Sequence, residues 1–503
     1  MQQPDPIVDV TFLLEGTYPF VRGGVSSWVH ELITAMPELS FSLVYLGATP
    51  RELATMRYEL PPNVRQLHYF DLMTGDAPAP PNKGVKGDPA YFAANAQLHD
   101  WFRAPNQAPA AAVFDTAVLQ PGRSDATCAA EFFHSEAAWG QILESYERSC
   151  PHASLLDYFW SVRNTHEPLM KLVRIARAIP ASRLVHAVST GYAGFLGAML
   201  QRLTACPMVL TEHGMYTKER QIELQSLFLG NRTGKQQVAS ASGMEHHELL
   251  WIRMFEGLGR LAYAAAHPIV SLYPQNQARQ ISGGALPERT RIIPNGVDVA
   301  RFAPLRLQRP ERTPHVLGLL GRVVPIKDIK TFIRTIHVLR AHLADVQGWI
   351  IGPQDEDAGY VDECMELVRM LQLENHVRFL GFQRIDAIMP QLGLVVLTSI
   401  SEAFPLVIGE SYASGVPVLT TDVGACRSLV EGTDGEDRAL GSGGAVVPIV
   451  DPEAMAAAAL ALLTDPERWL AAQQAGIARV ERYYQQENVV NAYRQIYAAA
   501  KAA

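Results

Sequence analysis

The sequence predicts an α/β protein with two parallel-sheet domains of the Rossmann type. Short apolar runs alternate with helical stretches in two separate series, and a Pro- and Arg-rich segment at 303–314 divides them. A length of 503 residues also exceeds what one hydrophobic core supports. We therefore expect two sheets that face each other across a cleft, with ligands beyond the carboxyl ends of the strands.

Composition excludes several classes of protein. Hydrophobic residues make up 48% of the chain, which favours a folded protein. The 43 basic and 51 acidic residues give a net charge of −8, and no Lys/Arg run offsets it, so we expect no nucleic-acid partner. Five cysteines without a C-x-x-C pair predict free thiols in a reducing compartment.

The N-terminus and the apolar runs predict a cytoplasmic protein. The first residues lack a basic region before the apolar stretch 7–14, and Asp9 interrupts that stretch, so a secretory signal is not indicated. The longest apolar runs fall well short of the roughly 20 residues that span a bilayer. Peripheral docking on a membrane complex remains compatible with this interpretation.

The first domain is predicted over 1–303. A strand at 8–14, a helix at 26–36 and a strand at 41–47 form a βαβ opening. An insertion at about 71–180 is rich in Pro, Gly and Ala between aromatic and acidic segments, and we expect it to be helical with mobile loops. Further strands are predicted at 183–189, 208–211, 269–272 and 291–293.

The second domain is predicted over 304–485, and the tail at 486–503 is predicted to be a helix. Its strands are predicted at 316–320, 349–351, 377–380, 394–397, 416–420 and 445–448. The turn-forming residues Asn295-Gly296-Val297-Asp298 precede it, and we interpret them as an interdomain hinge.

In the first domain, two groups of residues follow predicted strands. Gly23 and Gly24 precede a helix whose free N–H groups could hold a phosphate or a sugar, although a simple turn explains them equally well. The pattern is not G-x-G-x-x-G, so a nicotinamide cofactor is not indicated. His213 follows the strand at 208–211, and both a functional and a structural role are open.

In the second domain, cations follow the first strand. Gly321 and Arg322 begin a turn that continues to Lys327 and opens a helix. An Arg and a Lys here could neutralise a diphosphate leaving group, and a solvated charged turn is the alternative.

Two carboxylates flank the start of a later helix. Glu402 directly follows an apolar strand, and Glu410 lies eight residues further, which is about two helical turns. Pro405 suits the first turn of that helix. Carboxylates placed in this way suit the hydroxyls of a hexose and a ribose, with the helix N-terminus facing phosphate. Two glutamates on an exposed helix face are the alternative.

Together, these motifs resemble the retaining glycosyltransferases of family 4, which have the GT-B fold. The resemblance rests on Gly23-Gly24, 295–298, Gly321-Arg322 with Lys327, the pair Glu402/Glu410, and 415–418, and it covers both domains. More narrowly, the segments 15–32, 321–333 and 399–410 look like the cytosolic glycosyltransferase of Pel exopolysaccharide biosynthesis.

The resemblance implies a role for each candidate. Arg322 and Lys327 would hold the donor diphosphate, Glu402 the hexose, Glu410 the ribose, and His213 would border the transferred sugar. Further donor contacts would come from Gly23, Gly24, Gly321, Ala403, Phe404, Pro405, Leu406 and Val407. The tail helix would pack back on the first domain, as in relatives.

The resemblance also implies the reaction and its partners. We expect transfer of a hexose from a UDP-sugar to a growing biofilm polysaccharide, at the inner membrane beside a membrane-embedded synthase complex. No cofactor is implied, and no D-x-D motif is evident at the end of a strand, so we expect no catalytic metal. A nucleotide-sugar 2-epimerase and a UDP-sugar-binding scaffold subunit are the alternatives.

Two positions depart from the usual family pattern. Ala403-Phe404-Pro405 stands where Gly-Phe-Gly is common, which partly removes the backbone N–H contacts available in relatives. Asp328 stands where a glycine commonly follows the lysine, and it would place a carboxylate near the phosphates.

Overall fold

A computed structural model describes residues 7–51, 55–73, 84–103, 111–119, 125–151, 154–220 and 241–502. It divides the chain into two compact units. Unit 1 contains Met1–Ile292 and Arg494–Ala503, and unit 2 contains Ile293–Tyr493.

Unit 1 has a seven-stranded parallel sheet within the described residues, in the order β3-β2-β1-β4-β5-β6-β7. Its strands are β1 Val10–Glu15, β2 Phe41–Gly47, β3 Val64–Asp71, β4 Val185–Ala187, β5 Met208–Glu212, β6 Ile269–Ser271 and β7 Thr290–Ile292. The order of the strands reverses between β1 and β4, which creates a crevice at their carboxyl ends.

The helices of unit 1 cover this sheet and form the insertion. They are α1 Gly24–Thr34, α2 Pro89–Arg103, α3 Ala111–Phe114, α4 Asp125–His134, α5 Glu136–Ser149, α6 Leu155–Ala178, α7 Tyr192–Thr204, α8 Ala241–Ala265 and α9 Pro274–Ser282. A π-helical turn, Asp115–Leu119, and a 3₁₀ turn, Pro287–Arg289, complete the helical segments that are described.

The described residues of the insertion are mainly helical, as the sequence predicts. The Pro/Gly/Ala-rich parts that were predicted to be mobile loops fall mainly on 74–83 and 104–110, outside the described residues. Strand β3 is missing from the predictions. Its residues are mostly half-buried, so it lacks the run of buried apolar side chains that marks its neighbour β2.

Unit 2 has a six-stranded parallel sheet in the part of the chain described, in the order β10-β9-β8-β11-β12-β13. Its strands are β8 Val316–Leu320, β9 Gln347–Ile351, β10 Val377–Gly381, β11 Leu394–Leu397, β12 Val418–Thr421 and β13 Gly444–Val447. The order of the strands reverses between β8 and β11.

Most helices of unit 2 follow an aspartate whose side chain caps them. They are α10 Val299–Phe302, α11 Ile329–Leu339, α12 Ala358–Met370, α13 Ile385–Ile388, α14 Leu406–Ala413, α15 Cys426–Glu431, α16 Gly435–Arg438, α17 Pro452–Leu463 and α18 Pro466–Tyr483. Short 3₁₀ turns lie at Ala303–Gln308, Pro325–Lys327 and Met389–Gln391. An Asp-Pro pair starts both α17 and α18: the Asp side chain accepts from backbone N–H groups, and the Pro occupies the first turn.

The division between the units differs from the predicted boundary at 303/304. Residues 293–303 belong to unit 2 because Val297 pairs with Gln485 and the side-chain amide of Asn295 donates to the carbonyl of Phe404, at 3.3 Å. The 295–298 segment, predicted to be a hinge, is therefore bound into unit 2. The side chain of Asp298 accepts from the N–H of Arg301 and caps α10.

The final helix, α19 Gln486–Ala502, begins in unit 2 and ends in unit 1. Within unit 1, Arg494 Nε donates to Glu38 at 2.8 Å and Lys501 Nζ donates to Asp9 at 3.1 Å. The hydroxyl of Tyr497 lies 2.7 Å from Nδ1 of the buried His186. Across the described ranges, no helix is both long and apolar enough to span a bilayer.

Candidate functional site

The candidate residues of unit 2 follow neighbouring strands at the point where the strand order reverses. Gly321, Arg322 and Lys327 follow β8, and Glu402 follows β11, which pairs with β8. Because the carboxyl ends of parallel strands meet at one edge of the sheet, these two loops lie side by side.

Lys327 and Glu402 form the centre of this site. The Lys327 ammonium donates to Oε1 of Glu402, and the hydroxyl of Ser399 donates to the same oxygen at 2.7 Å. Both charged side chains are partly buried, with exposed fractions of 23% and 14%. The structure thus joins two residues that the sequence places 75 positions apart. Ser399 is the first residue of the segment 399–410, but its role was not predicted.

Arg322 has a different partner, which the sequence did not predict. Its Nη1 lies 2.6 Å from both carboxylate oxygens of Glu356, in the loop after β9. The two side chains are 39% and 50% exposed. Ion pairs this exposed contribute little to stability, so the guanidinium can exchange this carboxylate for another anion at small cost.

Gly352 and Gly424, which were not predicted, allow backbone segments of this site to approach each other closely. A Cβ on Gly352 would lie 2.0 Å from the carbonyl oxygen of Gly321, and a Cβ on Gly424 would lie 2.0 Å from that of Glu402. Both have positive φ, +153° and +54°. Any side chain at either position would therefore displace a candidate residue.

The helix after Glu402 differs in detail from the prediction. Pro405 is the N-cap of α14 with extended backbone, not a residue of its first turn. Glu402 precedes the helix, so helical periodicity does not relate it to Glu410, which is half-buried on α14. The intervening loop is fixed by Phe404, whose carbonyl accepts from Asn295 and whose ring packs edge-on against Tyr484 at 5.7 Å.

Asp328 caps the helix that follows Lys327. It has left-handed backbone geometry with φ of +45°, which explains why a glycine suits this position. Its Oδ1 accepts from the N–H of Thr331 at 3.3 Å, and its Oδ2 is buried. The carboxylate predicted to lie near the phosphates therefore caps the N-terminus of α11 through one of its oxygens.

The candidate residues of unit 1 lie around α1 and the end of β5. Gly23 is the N-cap of α1 and Gly24 is its first residue. His213 is 8% exposed, and its ring lies edge-on to Trp28 of α1 at 4.5 Å. Burial lowers the pKa of His213 to about 3, so the imidazole is neutral. Its Nε2 is buried and has no hydrogen-bond partner among the described residues.

Glu212, the neighbour of His213, is held in a buried network. Its carboxylate accepts from Thr190 at 3.0 Å, Tyr263 at 2.8 Å and Gln280 at 3.2 Å. Burial raises the pKa of Glu212, which disfavours its charged form. Unlike His213, its side chain is fully engaged, so it fixes the end of β5 rather than presenting an open group.

Glu15 is a further candidate that was not predicted. It is the last residue of β1, and its carboxylate accepts from the hydroxyl of Tyr216 at 2.5 Å and from the N–H of Ala193 at 3.4 Å. Arg220 lies 3.4 Å from the same carboxylate. The signal that identified Glu402, a polar residue directly after an apolar strand, also applies to Glu15. It therefore holds the segment after His213 against the sheet.

The topology and the two polar crevices define the class of protein. Two parallel-sheet Rossmann-like units with these strand orders give the GT-B fold, as predicted. The chain belongs to the family described as domain of unknown function DUF3492, which matches residues 8–288 and thus more than half of the chain. Residues 314–465 match the family described as glycosyl transferases group 1.

Curated relatives match part of the chain. The D-inositol 3-phosphate glycosyltransferase of Kineococcus radiotolerans is 31% identical over 37% of this chain and 46% of its own length. The phosphatidyl-myo-inositol mannosyltransferase of Mycolicibacterium smegmatis is 34% identical over 38% and 47%. The chain thus spans about half the length of these relatives.

Solved structures match the whole chain. HepE of Anabaena in complex with UDP has a TM-score of 0.56 at 15% identity, over 97% of this chain and 99% of its own. HepE was also solved with UDP-glucose. Sucrose-phosphate synthase of Thermosynechococcus elongatus has a TM-score of 0.56 at 17% identity, with the same coverage. At these identities the likeness establishes the fold.

Proposed function

We propose that this chain is a glycosyltransferase that moves a hexose from a UDP-sugar to a saccharide acceptor. The observation that carries the proposal is the cluster of Lys327, Glu402 and Ser399 where the strand order of unit 2 reverses, with Arg322 on the adjoining loop. The match of this unit to glycosyl transferases group 1 supports the same activity.

The charges of unit 2 suit a sugar linked to a diphosphate. Arg322 and Lys327 supply positive charge for the phosphates. In the structure Arg322 is paired with Glu356, and Lys327 is paired with Glu402. When a diphosphate replaces Glu402 as the partner of the Lys327 ammonium, the Glu402 carboxylate becomes available to hexose hydroxyls. Glu410 on α14 is assigned to the ribose. The backbone of 403–407 leads into the positive end of α14.

The proposed reaction retains the configuration of the sugar. The bond from the anomeric carbon to the leaving phosphate breaks, a bond to the acceptor oxygen forms on the same face, and the acceptor proton passes to the phosphate. This route needs no dedicated base, so the protein contributes positioning and charge stabilisation. In unit 1, Gly23 and Gly24 are assigned to the phosphates, and the neutral His213 to the transferred sugar.

A narrower proposal assigns the protein to one biosynthetic pathway. Segments 15–32, 321–333 and 399–410 resemble the Pel exopolysaccharide glycosyltransferase, so we assign a PelF-type role in biofilm polysaccharide synthesis. The donor would be UDP-glucose or a UDP-N-acetylhexosamine, and the acceptor a growing polysaccharide. The protein would work in the cytoplasm at the inner membrane, beside a membrane-embedded synthase.

The test combines binding with product analysis. A panel of nucleotide sugars is titrated calorimetrically, and the products are followed by NMR with and without oligosaccharide acceptors. A glycosyltransferase forms a glycoside with retained configuration only when an acceptor is present, and EDTA leaves the rate unchanged. A 2-epimerase yields a new sugar without acceptor, and a scaffold subunit binds UDP without turnover.

The variants Glu410→Ala and Arg322→Ala test the assigned residues. Each is expected to lose donor affinity, whereas Arg334→Gln, an exposed residue on α11, retains it. Unchanged binding and turnover of UDP-sugar in both site variants would show that the site assignment is wrong.

A further inference from the structure

The helical insertion of unit 1 encloses a cavity that the proposed function does not use. It lies between α2, α4, α5, α6 and α8 and has a volume of about 120 Å³. A cavity of this order holds a group the size of one benzene ring. None of the candidate residues of the glycosyltransferase site lines it.

The walls of this cavity are mainly apolar and contain several aromatic rings. They include Phe102, Phe132, Phe133 and Phe159, and Met254 contributes a further apolar surface. The Phe132 ring stacks on His166 at 5.3 Å, and the Phe133 ring lies under the guanidinium of Arg163 at 4.8 Å. Walls of this kind favour an apolar ligand.

Two arginines on the wall lack an acidic partner. Arg163 lies over the rings of Phe133 and Trp160, and Arg253 is half-buried; within the described residues neither forms an ion pair. Arg103, also on the wall, is by contrast paired with Asp100 at 2.7 Å. Because no carboxylate of the described residues pairs with them, the guanidinium groups of both residues keep their positive charge available to an anionic ligand.

A pair of histidines gives the cavity a polar but uncharged surface. Nε2 of His99 lies 2.8 Å from Nε2 of His166, so one ring donates and the other accepts. Nδ1 of His166 donates to the carbonyl of Val162, at 2.7 Å. Burial lowers the pKa of both imidazoles. The positive charge on this wall therefore comes from the arginines.

We infer that this cavity binds an anion with an apolar body of about one ring or six carbons, whose carboxylate or phosphate is held by Arg163 and Arg253. Trp160 extends the site outward. It is 49% exposed, and its ring contacts those of Phe159 at 5.4 Å and the Arg163 guanidinium at 5.9 Å. This binding would be separate from the nucleotide-sugar chemistry of unit 2.

Calorimetric titration of the full chain with hexanoate tests the inference, with hexan-1-ol as the neutral match. Hexanoate is expected to bind saturably and at least 10-fold more tightly than the alcohol. The double variant Arg163→Gln/Arg253→Gln should lose at least 10-fold in affinity for hexanoate. Arg174→Gln, an exposed arginine on the same helix as Arg163, should bind like the parent.

A second variant keeps both arginines and fills the cavity. Ser149→Phe, at the cavity wall on the last residue of α5, should abolish hexanoate binding while the circular dichroism spectrum stays that of the parent. The inference is overturned if hexanoate does not bind, if the alcohol binds equally well, or if binding survives either the arginine substitutions or Ser149→Phe in folded protein.

Vesicles distinguish the two sources of such a ligand. Flotation with phosphatidylglycerol vesicles but not phosphatidylcholine vesicles, lost in the double arginine variant, would assign the anion to a lipid. Saturable hexanoate binding without flotation would assign it to a small soluble metabolite.

Discussion

The two candidate crevices differ in the charge of their candidate side chains. In unit 2, Lys327, Glu402, Arg322 and Glu356 form ion pairs that are partly exposed. In unit 1, the Glu212 carboxylate is buried in a hydrogen-bonded network, and His213 is neutral because burial lowers its pKa to about 3. The cations of unit 2 suit a diphosphate, and the neutral imidazole of His213 suits sugar hydroxyls.

This difference extends into the cores of the two units. Unit 2 buries Arg479 completely, and its guanidinium donates to Asp437 at 2.6 Å and to the carbonyls of Val430 and Gly441. Unit 1 buries His186, and burial lowers its pKa to about 3. Unit 2 thus keeps a buried charge by pairing it, whereas unit 1 keeps its buried imidazoles neutral.

The largest expected effect is on the buried pair of unit 2. Arg479→Ala leaves the carboxylate of Asp437 buried without its main partner, which costs about 3–5 kcal/mol. Arg482→Ala on the same helix removes a pair that is 53% and 77% exposed, and we expect a cost below about 1 kcal/mol. Hydrogen exchange of unit 2 peptides measures the loss of stability in each variant. Equal losses in the two variants would contradict the distinction between buried and exposed charge.

The next largest effect is on catalysis. Lys327→Met removes the ammonium that the proposal assigns to the diphosphate, and we expect kcat/KM to fall about 100-fold, or about 2.7 kcal/mol. Steady-state assays with the preferred UDP-sugar measure this ratio, and Arg334→Gln is the control. A change below about 3-fold would show that the charged cluster is structural.

A smaller effect depends on pH. The folded-state pKa of His213, about 3, lies below its usual 6.5, so the unfolded chain takes up the proton first as the pH falls. Stability contributed by His213 is therefore lost between about pH 6.5 and 3, and it falls by about 2 kcal/mol from pH 7 to pH 5. Urea unfolding of the parent and His213→Gln at both values gives the difference. Equal pH dependence in the two proteins would indicate a solvated, titrating imidazole.

The smallest effect concerns the left-handed Asp328. Asp328→Gly loses the cap of α11 but removes the strain of a positive φ, so the two changes offset within about 0.5 kcal/mol. Asp328→Ala loses the cap and keeps the strain, which costs about 1–2 kcal/mol. Thermal unfolding of the pair of variants separates the two contributions, and similar melting temperatures for both would contradict this explanation.

The fold was predictable where a local pattern of apolar residues is enough to identify a strand. Strands β2, β8 and β11 have the predicted bounds because each is a short apolar run between turn signals. Strand β3 was missed because its half-buried residues mix polar and apolar types. The chain division near 293 also escaped prediction, since it depends on pairing between Val297 and Gln485, far apart in sequence.

The residues of the candidate site were proposed from residue type and position, but their contacts could not be predicted. Polar residues after strands identified Arg322, Lys327 and Glu402, and strand order brings two of them together. The partners Glu356 and Ser399 depend on distances between loops, which spacing does not encode. The neutrality of His213 depends on its burial against Trp28, which is likewise a property of packing.

Calorimetric titration with UDP tests the central claim, that the charges of unit 2 hold the nucleotide diphosphate, most directly. The parent, Lys327→Met and His213→Gln are compared under the same conditions of pH and salt. We predict at least a 10-fold loss of UDP affinity in Lys327→Met and less than a 2-fold change in His213→Gln, because UDP lacks the hexose to which His213 is assigned. Unchanged affinity in Lys327→Met, or a larger loss in His213→Gln, would contradict the claim.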